Sequence, residues 1–328
     1  MLRQYKVYNI SGRTISFSSY PGTVHSGDDW YMLSNGLTVQ ETTNDNYNPS
    51  SYVYVVNESV PEFIRVMVAN TLATSTEEWS RLFCTHNSGT YNNQYMIIDM
   101  KRYEPSSNST EGRLPNGTFY VLEQMANMCV FADKSQHLRE HGYWASYNIP
   151  SFPEVYAYSG TKKMEEEYGT YFSYTKYSRA EIFRRNETDV RSLEDVKRLM
   201  RYNNYLHDPY SLIPNCSGTP NNTCNPPYSA SLAIASRFDV NVRGSPNVQG
   251  PLYNYLDLDW FGAIDNKIVS WKEHSMMKGH LINGPTVLPE NGLPPFRWST
   301  SPFTTIVHEG IPDLLNFTYV NSEVLLGL

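Results

Sequence analysis

Short apolar runs separated by turn-forming residues fill the first part of the chain, and this pattern predicts successive β-strands. Residues 14–20 alternate apolar with small polar side chains, and Pro21-Gly22 then predicts a turn. The run Trp30–Leu33 is followed by a turn at 34–36 that contains Asn-Gly, and then by a second run over 37–43. Asn-Gly between two short runs predicts a β-hairpin. Residues 52–56 are a further strand candidate.

The spacing of apolar residues then changes to the helical period. Ser59–Glu62 has the composition of a capping box with Pro in the first turn, and Phe63, Val66, Met67 and Asn70 would then share one face. The sequence therefore predicts a helix that begins at this box and buries that face.

A second helix is predicted from Thr76, with Trp79 and Phe83 on one stripe, and strands resume near 95–100, 118–124 and 128–132. Strands, then a pair of helices, then strands again form a pattern that is typical of a layered α+β domain rather than a regular βαβ repeat. No linker-like stretch divides the chain, and its 328 residues are enough for one sizeable domain or two smaller ones.

We interpret the stretch Asn87–Gln94 as the one around which the chain is organised. Its small and amide-bearing residues favour a turn, and the apolar run 95–100 that follows favours a buried strand. A polar turn that enters a buried strand places side-chain amides at the rim of a sheet, where ligands bind. The alternative interpretation is that Asn and Gly only shape a loop.

Composition excludes several classes of protein. The 328 residues have a formal net charge of −7, so there is no basic excess to neutralise nucleic-acid phosphates. Aromatic residues make up 14% of the chain, too many for a disordered protein. No apolar run approaches the roughly 18 residues that a membrane-spanning helix needs. The chain is therefore interpreted as a folded protein without a transmembrane segment.

Cysteines and glycosylation motifs indicate a secretory protein, although the N-terminal residues 1–6 lack the apolar core of a signal peptide. Cys216 and Cys224 are close in sequence and could close a small disulfide loop, whereas the pairing of Cys84 and Cys129 stays open. The chain also carries eight Asn-x-Ser/Thr motifs. Their asparagines are Asn9, Asn57, Asn108, Asn116, Asn186, Asn215, Asn221 and Asn316.

One short motif suggests zinc and is rejected. His137–His141 matches the pattern His-x-x-Glu-His of inverted zinc proteases. Zinc would need a helix that continues and a third ligand beyond it, but Gly142 follows at once and predicts a helix stop. We therefore interpret the two histidines as an exposed helix end and expect no metal and no cofactor.

Two later stretches combine polar groups with aromatic or apolar bulk. In Tyr143–Pro150, aromatic residues surround Asn148 and the final Pro favours an extended backbone; an ordinary packed loop is the alternative. In Ser178–Arg185, three arginines surround an apolar pair, and such an Arg either faces solvent or holds a carboxylate through two hydrogen bonds.

Taken together, these stretches resemble the phospholipase B-like family, in family order across nearly the whole chain. The segments that carry the resemblance are Ser18–Gly22, Asp28-Asp29, Glu41–Thr43, Asn87–Gln94, Leu122–Gln124, Tyr143–Pro150, Arg179–Arg185, Met200–Asn203 and Trp298–Phe303.

The resemblance implies that residues 1–328 are one domain of an N-terminal-nucleophile hydrolase. Such a hydrolase has a four-layer αββα sandwich and matures by autoproteolysis. In such a hydrolase the thiol of an N-terminal Cys attacks an acyl carbonyl, and its own α-amino group, which titrates near pH 7–8, serves as the base. An oxyanion hole then stabilises the tetrahedral charge. The substrate would be a lipid or another acylated small molecule, and the location lysosomal or secreted.

Carried over by position, the resemblance implies a role for six residues. Asp28 would partner the amine of the nucleophile or a neighbouring Arg, Thr43 would supply a pocket hydroxyl, and Asn148 would supply an oxyanion-hole or amine-orienting amide. Arg179 would be the charge partner that completes the site. Asn92 and Asn93 would line the same cleft.

The resemblance also implies that the nucleophile lies outside these residues. Residues 1–6 resemble family sequence downstream of the nucleophilic Cys, so an upstream segment of the same precursor is expected to complete the fold and the site. This chain alone is expected to be inactive. The alternative is a catalytically inactive glycoprotein that binds lipid or a partner through the same cleft.

Overall fold

The computed structural model describes residues 4–10, 12–106, 112–213, 226–241 and 256–322. They form two compact units. The first, here called the sheet unit, comprises Leu2–Met164, Val269–Gly279 and the segment from Ser322. The second, here called the loop-rich unit, comprises Glu165–Ile268 and His280–Asn321. Helices and antiparallel strands occur together, which confirms the predicted α+β class.

A seven-stranded antiparallel sheet dominates the sheet unit, and each strand pairs with the next one along the chain. The strands predicted near 14–20, 30–33, 37–43, 95–100, 118–124 and 128–132 are confirmed. The strands are β1 (Gln4–Ile10), β2 (Arg13–Ser19), β3 (Trp30–Leu33), β4 (Leu37–Thr43), β5 (Asn93–Asp99), β6 (Phe119–Met125) and β7 (Met128–Asp133).

The strand predicted at 52–56 is wrong. Pro49–Tyr54 forms a short 3-10 helix, and residues 52–56 are exposed. Pro49 at the start of this helix has the backbone φ that a helical turn requires, and the amide of Ser51 donates to the carbonyl of Asn48. This segment thus forms local backbone bonds and pairs with no strand in the described part of the chain.

Two helices, α1 (Glu62–Leu72) and α2 (Thr76–Cys84), pack on one face of this sheet. The predicted stripe of α2 is confirmed, because Trp79 and Phe83 are fully buried. Their rings lie 5.1 and 4.5 Å from the ring of Tyr95 in β5, centroid to centroid. Aromatic pairs at these distances stabilise a core beyond the area that they bury.

The capping box predicted at the start of α1 is wrong. The helix begins at Glu62 after Pro61, and the Ser59 hydroxyl donates to a carbonyl of the preceding turn. The side chain of Glu62 is instead buried and accepts a hydrogen bond from Tyr95. The predicted inner face is correct for Val66 and Asn70, which are buried, and for Met67, which packs against the core, but not for Phe63, which is 39% exposed. Contacts with the sheet thus rotate the helix away from the orientation that spacing suggested.

The opposite face of the sheet carries a second apolar cluster. Met96, Val121 and Met125 pack there against Phe152 and Val155. The helices that follow the sheet are α3 (Ser135–His141), α4 (Pro153–Tyr158) and α5 (Thr161–Tyr168). The predicted helix stop at Gly142 is confirmed, since this residue has a left-handed φ of 80°.

A disulfide joins Cys84, at the end of α2, to Cys129 in β7, with Cα atoms 5.7 Å apart. It closes a sequence separation of 45 residues and ties the helical layer to the last strand of the sheet. Cys216 and Cys224, predicted to form a second disulfide, lie outside the described residues.

The loop-rich unit has short elements and long connections. Ser192 accepts a hydrogen bond from Asp195 and begins a helix, as predicted. Arg237 is 1% exposed and pairs with Asp239, and it also donates to the carbonyl of Thr286. The remaining elements are α6 (Ser178–Asn186), α7 (Leu193–Met200), β8 (Asp265–Ile268), α8 (Trp271–His274, in the sheet unit), β9 (Gly279–Asn283), β10 (Phe296–Arg297), β11 (Leu314–Leu315) and β12 (Val320–Ser322).

Candidate functional site

Polar side chains of the sheet unit collect where β4 ends and β5 begins. In this antiparallel pair Thr43 lies opposite Asn93 and Thr42 lies opposite Gln94. The backbone amide of Asn44 donates to the carbonyl of Asn92 at 2.7 Å, so the ladder continues one residue beyond the strands. Strand pairing therefore joins residues about fifty positions apart in sequence.

The turn before β5 is held against the β6–β7 hairpin. The side-chain amide of Asn87 donates to the carbonyls of Met125 and Met128, at 2.7 and 3.0 Å. Gly89 has a φ of +63°, and a Cβ there would lie 2.3 Å from the Cα of Ala126. Only glycine fits so close an approach. This half of the stretch has the loop-shaping role that the alternative interpretation predicted.

The segment 143–152 lies over the same strand ends. The Nδ2 of Asn148 donates to the carbonyl of Thr43 at 2.7 Å, and the hydroxyls of Thr42 and Ser146 are hydrogen-bonded. Trp144 donates from Nε1 to Oε1 of Gln94 at 3.0 Å. Asn148 has a φ of +68°, a left-handed conformation that Asn adopts more readily than most residues. These bonds place the predicted Asn148 and Thr43 side by side.

Glu123 of β6 anchors this segment from beneath. The residue is fully buried, and its Oε1 accepts bonds from the amide and hydroxyl of Ser151, at 2.6 and 2.8 Å. Its Oε1 also accepts from Gln94 and its Oε2 from the amide of Phe152, at 2.5 and 3.2 Å. Burial raises the pKa of the Glu123 carboxyl, and the bonds donated by Ser151, Gln94 and Phe152 oppose that shift.

Replacing Glu123 with Gln should lower the free energy of unfolding by about 2 kcal/mol. The new amide group would face at least one buried N–H donor and leave it without an acceptor. Urea unfolding measures this loss. The control is Glu140→Gln, because that side chain is exposed. Equal stability of the two variants would show that Glu123 does not hold the segment.

The predicted Asp28 lies in the loop between β2 and β3. Its Oδ2 accepts a hydrogen bond from Ser18 at 2.5 Å. The neighbouring Asp29, with a φ of +61°, is linked to the strand ends through Tyr91. Thr43 donates to the Tyr91 hydroxyl at 3.1 Å, and that hydroxyl donates to Asp29 at 3.3 Å. The hydrogen bonds from Thr43 through Tyr91 thus end at Asp29, and Asp28 is the residue before it in sequence.

Sequence reasoning missed a group of carboxyls beneath these residues. Glu41 and Glu62 are 8% and 7% exposed, and Asp29 is close to both. Burial raises the pKa of Glu41 well above its ordinary value, and the negative charge of Asp29 adds to the shift. Burial also raises the pKa of Glu62 to about 7, against the opposing bond from Tyr95 and the charge of Arg65. No local pattern marks these carboxyls, since only strand pairing and the packing of α1 bury them.

The predicted site residues Asn92 and Asn93 lie on different faces of the sheet at the strand ends. Asn93 is fully buried and donates to Tyr95 at 3.4 Å on the face that carries α1 and α2. Asn92 is 9% exposed and, like Asn44 at 2%, lies beyond the paired residues. Asn92 and Asn93 thus stay in one region of the sheet, but the alternation of side chains along a strand directs them to different faces.

Arg179 lies in α6, which belongs to the loop-rich unit. Its Nε donates to the hydroxyl of Tyr177 at 3.3 Å, and its guanidinium carbon is 5.0 Å from the centroid of that ring. An Arg over an aromatic face gains a cation–π attraction. The role predicted for Arg179 in the site stays a prediction.

The two histidines of the rejected zinc motif lie on α3. Their rings are 4.3 Å apart, and His137 also contacts the ring of Trp144 at 4.9 Å, centroid to centroid. Burial lowers the pKa of His137, and the nearby His141 lowers it further. Within the described ranges, no three His, Cys, Asp or Glu side chains are grouped as a metal site would require.

The glycosylation motifs differ in exposure. Asn57, Asn116 and Asn316 are exposed, whereas Asn186 is half-buried at the end of α6. The side chain of Asn9 and the residues Asn108, Asn215 and Asn221 lie outside the described part of the structure. Occupancy of all eight motifs stays a prediction.

Comparison with known proteins identifies relatives along nearly the whole chain. The family model described as "Phospholipase B" matches residues 1–322. The proteins named "Putative phospholipase B-like 2" of Mus musculus and Homo sapiens are each 42% identical, over 94% and 95% of this chain and 49% and 50% of their own length. "Phospholipase B-like 1" of Rattus norvegicus is 39% identical over 99% of this chain and 54% of its own length. The chain thus spans about half the length of these relatives.

No helix in the described ranges has the length and apolar character that crossing a bilayer requires.

Proposed function

Because the chain belongs to the phospholipase B family, as its sequence motifs predicted, we propose that it contributes to the active site of a hydrolase that cleaves an acyl ester or amide bond of a lipid. The single observation that carries this proposal is the polar cluster where β4 ends and β5 begins. There the amide of Asn148 contacts the carbonyl of Thr43 within 2.7 Å. These are two of the residues that the family resemblance marks for the site.

The proposed mechanism is that of an N-terminal-nucleophile hydrolase with a four-layer αββα sandwich. The thiol of an N-terminal Cys attacks the acyl carbon, and its proton passes through the α-amino group to the leaving alcohol or amine as the acyl C–O or C–N bond breaks. Water then attacks the thioester, releases the carboxylic acid and restores the thiol. Autoproteolysis of a precursor would expose this Cys.

The nucleophile is proposed to come from the part of the relatives' length that this chain does not span. Cys84 and Cys129 are joined in a disulfide, so neither offers a thiol. We assign Asn148 to the oxyanion hole, because an amide donor stabilises the negative charge of the tetrahedral intermediate. Asp28 is assigned to the α-amino group of the nucleophile and Thr43 to the wall of the pocket.

The disulfide and the exposed glycosylation motifs support a secretory route to an oxidising compartment. Disulfides persist in secreted and lumenal proteins, and the Cys84–Cys129 bond is of this kind. The exposed Asn57, Asn116 and Asn316 are suitable positions for glycans on the same route. A lysosomal or secreted location is therefore proposed.

The complete protein from its native source provides the test. Mass spectrometry should find a mature chain that begins with Cys, and the protein should release fatty acid from an acyl ester or amide. Asn148→Ala should lower kcat about 100-fold, with KM changed far less, because the lost donor acts in the transition state.

Asn127→Ala is the matched control. Asn127 has a φ of +63° and is exposed, so its replacement adds the same backbone strain away from the strand ends. Equal activity of the two variants would remove Asn148 from the mechanism. If the mature chain has no N-terminal nucleophile and releases no acid, the second candidate replaces the first: a glycoprotein that binds an acylated ligand without cleaving it. The disulfide-bonded state of Cys84 and Cys129 favours that candidate for this chain taken alone.

A further inference from the structure

We propose that Asn44 and Asn92 form a subsite that recognises the amide group of an acyl amide, in preference to an acyl ester. The inference rests on the proposed function, since it selects one substrate class for the same site. It concerns binding, and therefore has a readout that does not depend on turnover.

The first observation is that both side chains are buried with open hydrogen-bonding atoms. Asn44 is 2% exposed, and none of the described residues forms a hydrogen bond with its Oδ1 or its Nδ2. Asn92 is 9% exposed, and its Oδ1 likewise has no partner in the described ranges. Buried polar groups in folded proteins are nearly always satisfied, so atoms of this kind at the edge of a site indicate a ligand.

The second observation is their position. The bond from the amide of Asn44 to the carbonyl of Asn92, at 2.7 Å, continues the ladder beyond Thr43 and Asn93. Because side chains alternate along paired strands, Asn44 and Asn92 lie on the same face as Thr42 and Gln94. That is the face against which Ser146 and Trp144 pack, next to Asn148. The two open amides thus lie on the face that is covered by the segment carrying Asn148.

The third observation is the balance of donors and acceptors. The buried side-chain atoms without a partner in the described ranges are two acceptors, the Oδ1 atoms of Asn44 and Asn92, and one donor, the Nδ2 of Asn44. An acyl amide matches this set, because its N–H donates to an acceptor and its carbonyl accepts from the donor. An ester has no N–H, so one buried acceptor would face the ester oxygen without a bond. The second acceptor suits a hydroxyl or ammonium donor on the leaving group.

Two probes that differ only at this group test the inference. N-dodecanoylethanolamine and 2-hydroxyethyl dodecanoate share the acyl chain and the terminal hydroxyl, and they differ by N–H against O. Binding is measured by calorimetry on the complete protein with Asn148→Ala, which slows turnover of either probe. The amide should bind at least about tenfold more tightly than the ester, because a site built for an N–H rejects the analogue that lacks it.

Asn44→Leu in the same background separates a subsite from a structural role. Leu has a similar volume and no polar atoms, so the preference for the amide should fall to about one while the melting temperature stays equal or rises. A lower melting temperature with the amide preference retained would overturn the inference. It would show that Asn44 bonds to another part of the protein.

Turnover measured without the Asn148→Ala change distinguishes this inference from the proposed function. Amide preference without any hydrolysis would support the subsite and reject the hydrolase. Hydrolysis with equal affinity for the two probes would support the hydrolase and reject the subsite.

Discussion

Removing the disulfide between Cys84 and Cys129 should lower the free energy of unfolding by about 4 kcal/mol. The bond closes a separation of 45 residues, and a cross-link of that length restricts the unfolded chain by roughly this amount in the chain-entropy description. It also holds the end of α2 against β7, beside the buried core. The double variant Cys84→Ala/Cys129→Ala, unfolded in urea, measures the effect.

The two single variants provide the control. Either one breaks the cross-link, so Cys84→Ala and Cys129→Ala should each lose about as much stability as the double variant. If the loss in the double variant instead equals the sum of the losses in the two single variants, side-chain packing accounts for the effect. A loss below about 1 kcal/mol in the double variant would contradict the chain-entropy account.

Raising the pH from about 4.5 to 7 should destabilise the protein by about 3 kcal/mol through Glu62 alone. Its pKa is raised from 4.5 to about 7 in the folded state, chiefly by burial. Below pH 4.5 the carboxyl is protonated in both the folded and the unfolded states, and its contribution to stability is complete. As the pH rises, the unfolded chain releases the proton first, so stability falls until the pH passes the folded pKa.

Neighbouring groups shift the pKa of Glu62 in both directions. The hydroxyl of Tyr95 and the guanidinium of Arg65 lower the pKa of Glu62, and the carboxylate of Asp29 raises it. Burial also raises the pKa of Glu41 and of Glu123, so both add to the same trend. The protein should therefore be most stable in mildly acidic solution, which agrees with the proposed lysosomal location.

Unfolding in urea at a series of pH values measures the trend, and Glu62→Gln isolates its source. Gln is neutral at every pH and keeps an oxygen for Tyr95, so this variant should match the protein near pH 4.5 and exceed it by about 3 kcal/mol at pH 7. The exposed Glu154→Gln is the matched control and should leave the profile unchanged. A Glu62→Gln profile parallel to that of the unchanged protein would rule out the buried carboxyl as the cause.

Local patterns were sufficient for most of the sheet. Alternation over 14–20 and the Asn-Gly turn predicted β2 and the β3–β4 hairpin, because both signals depend only on neighbouring residues. The same holds for the stripe of Trp79 and Phe83 and for the helix stop at Gly142. The local signal failed at 52–56, where β-branched residues suggested a strand but no strand within the described ranges pairs with them.

The sequence by itself determined the family, the α+β class and the residue types of the candidate site, because motif order and side-chain periodicity are properties of the chain alone. Only the tertiary structure decided which residues meet. It joined Thr43 to Asn148, it paired Cys84 with Cys129, and it buried Glu62 against Tyr95. The physical reason is that strand register and helix packing bring together residues distant in sequence, and burial, which follows from that packing, sets the charge state of a carboxyl and the need of an amide for a partner.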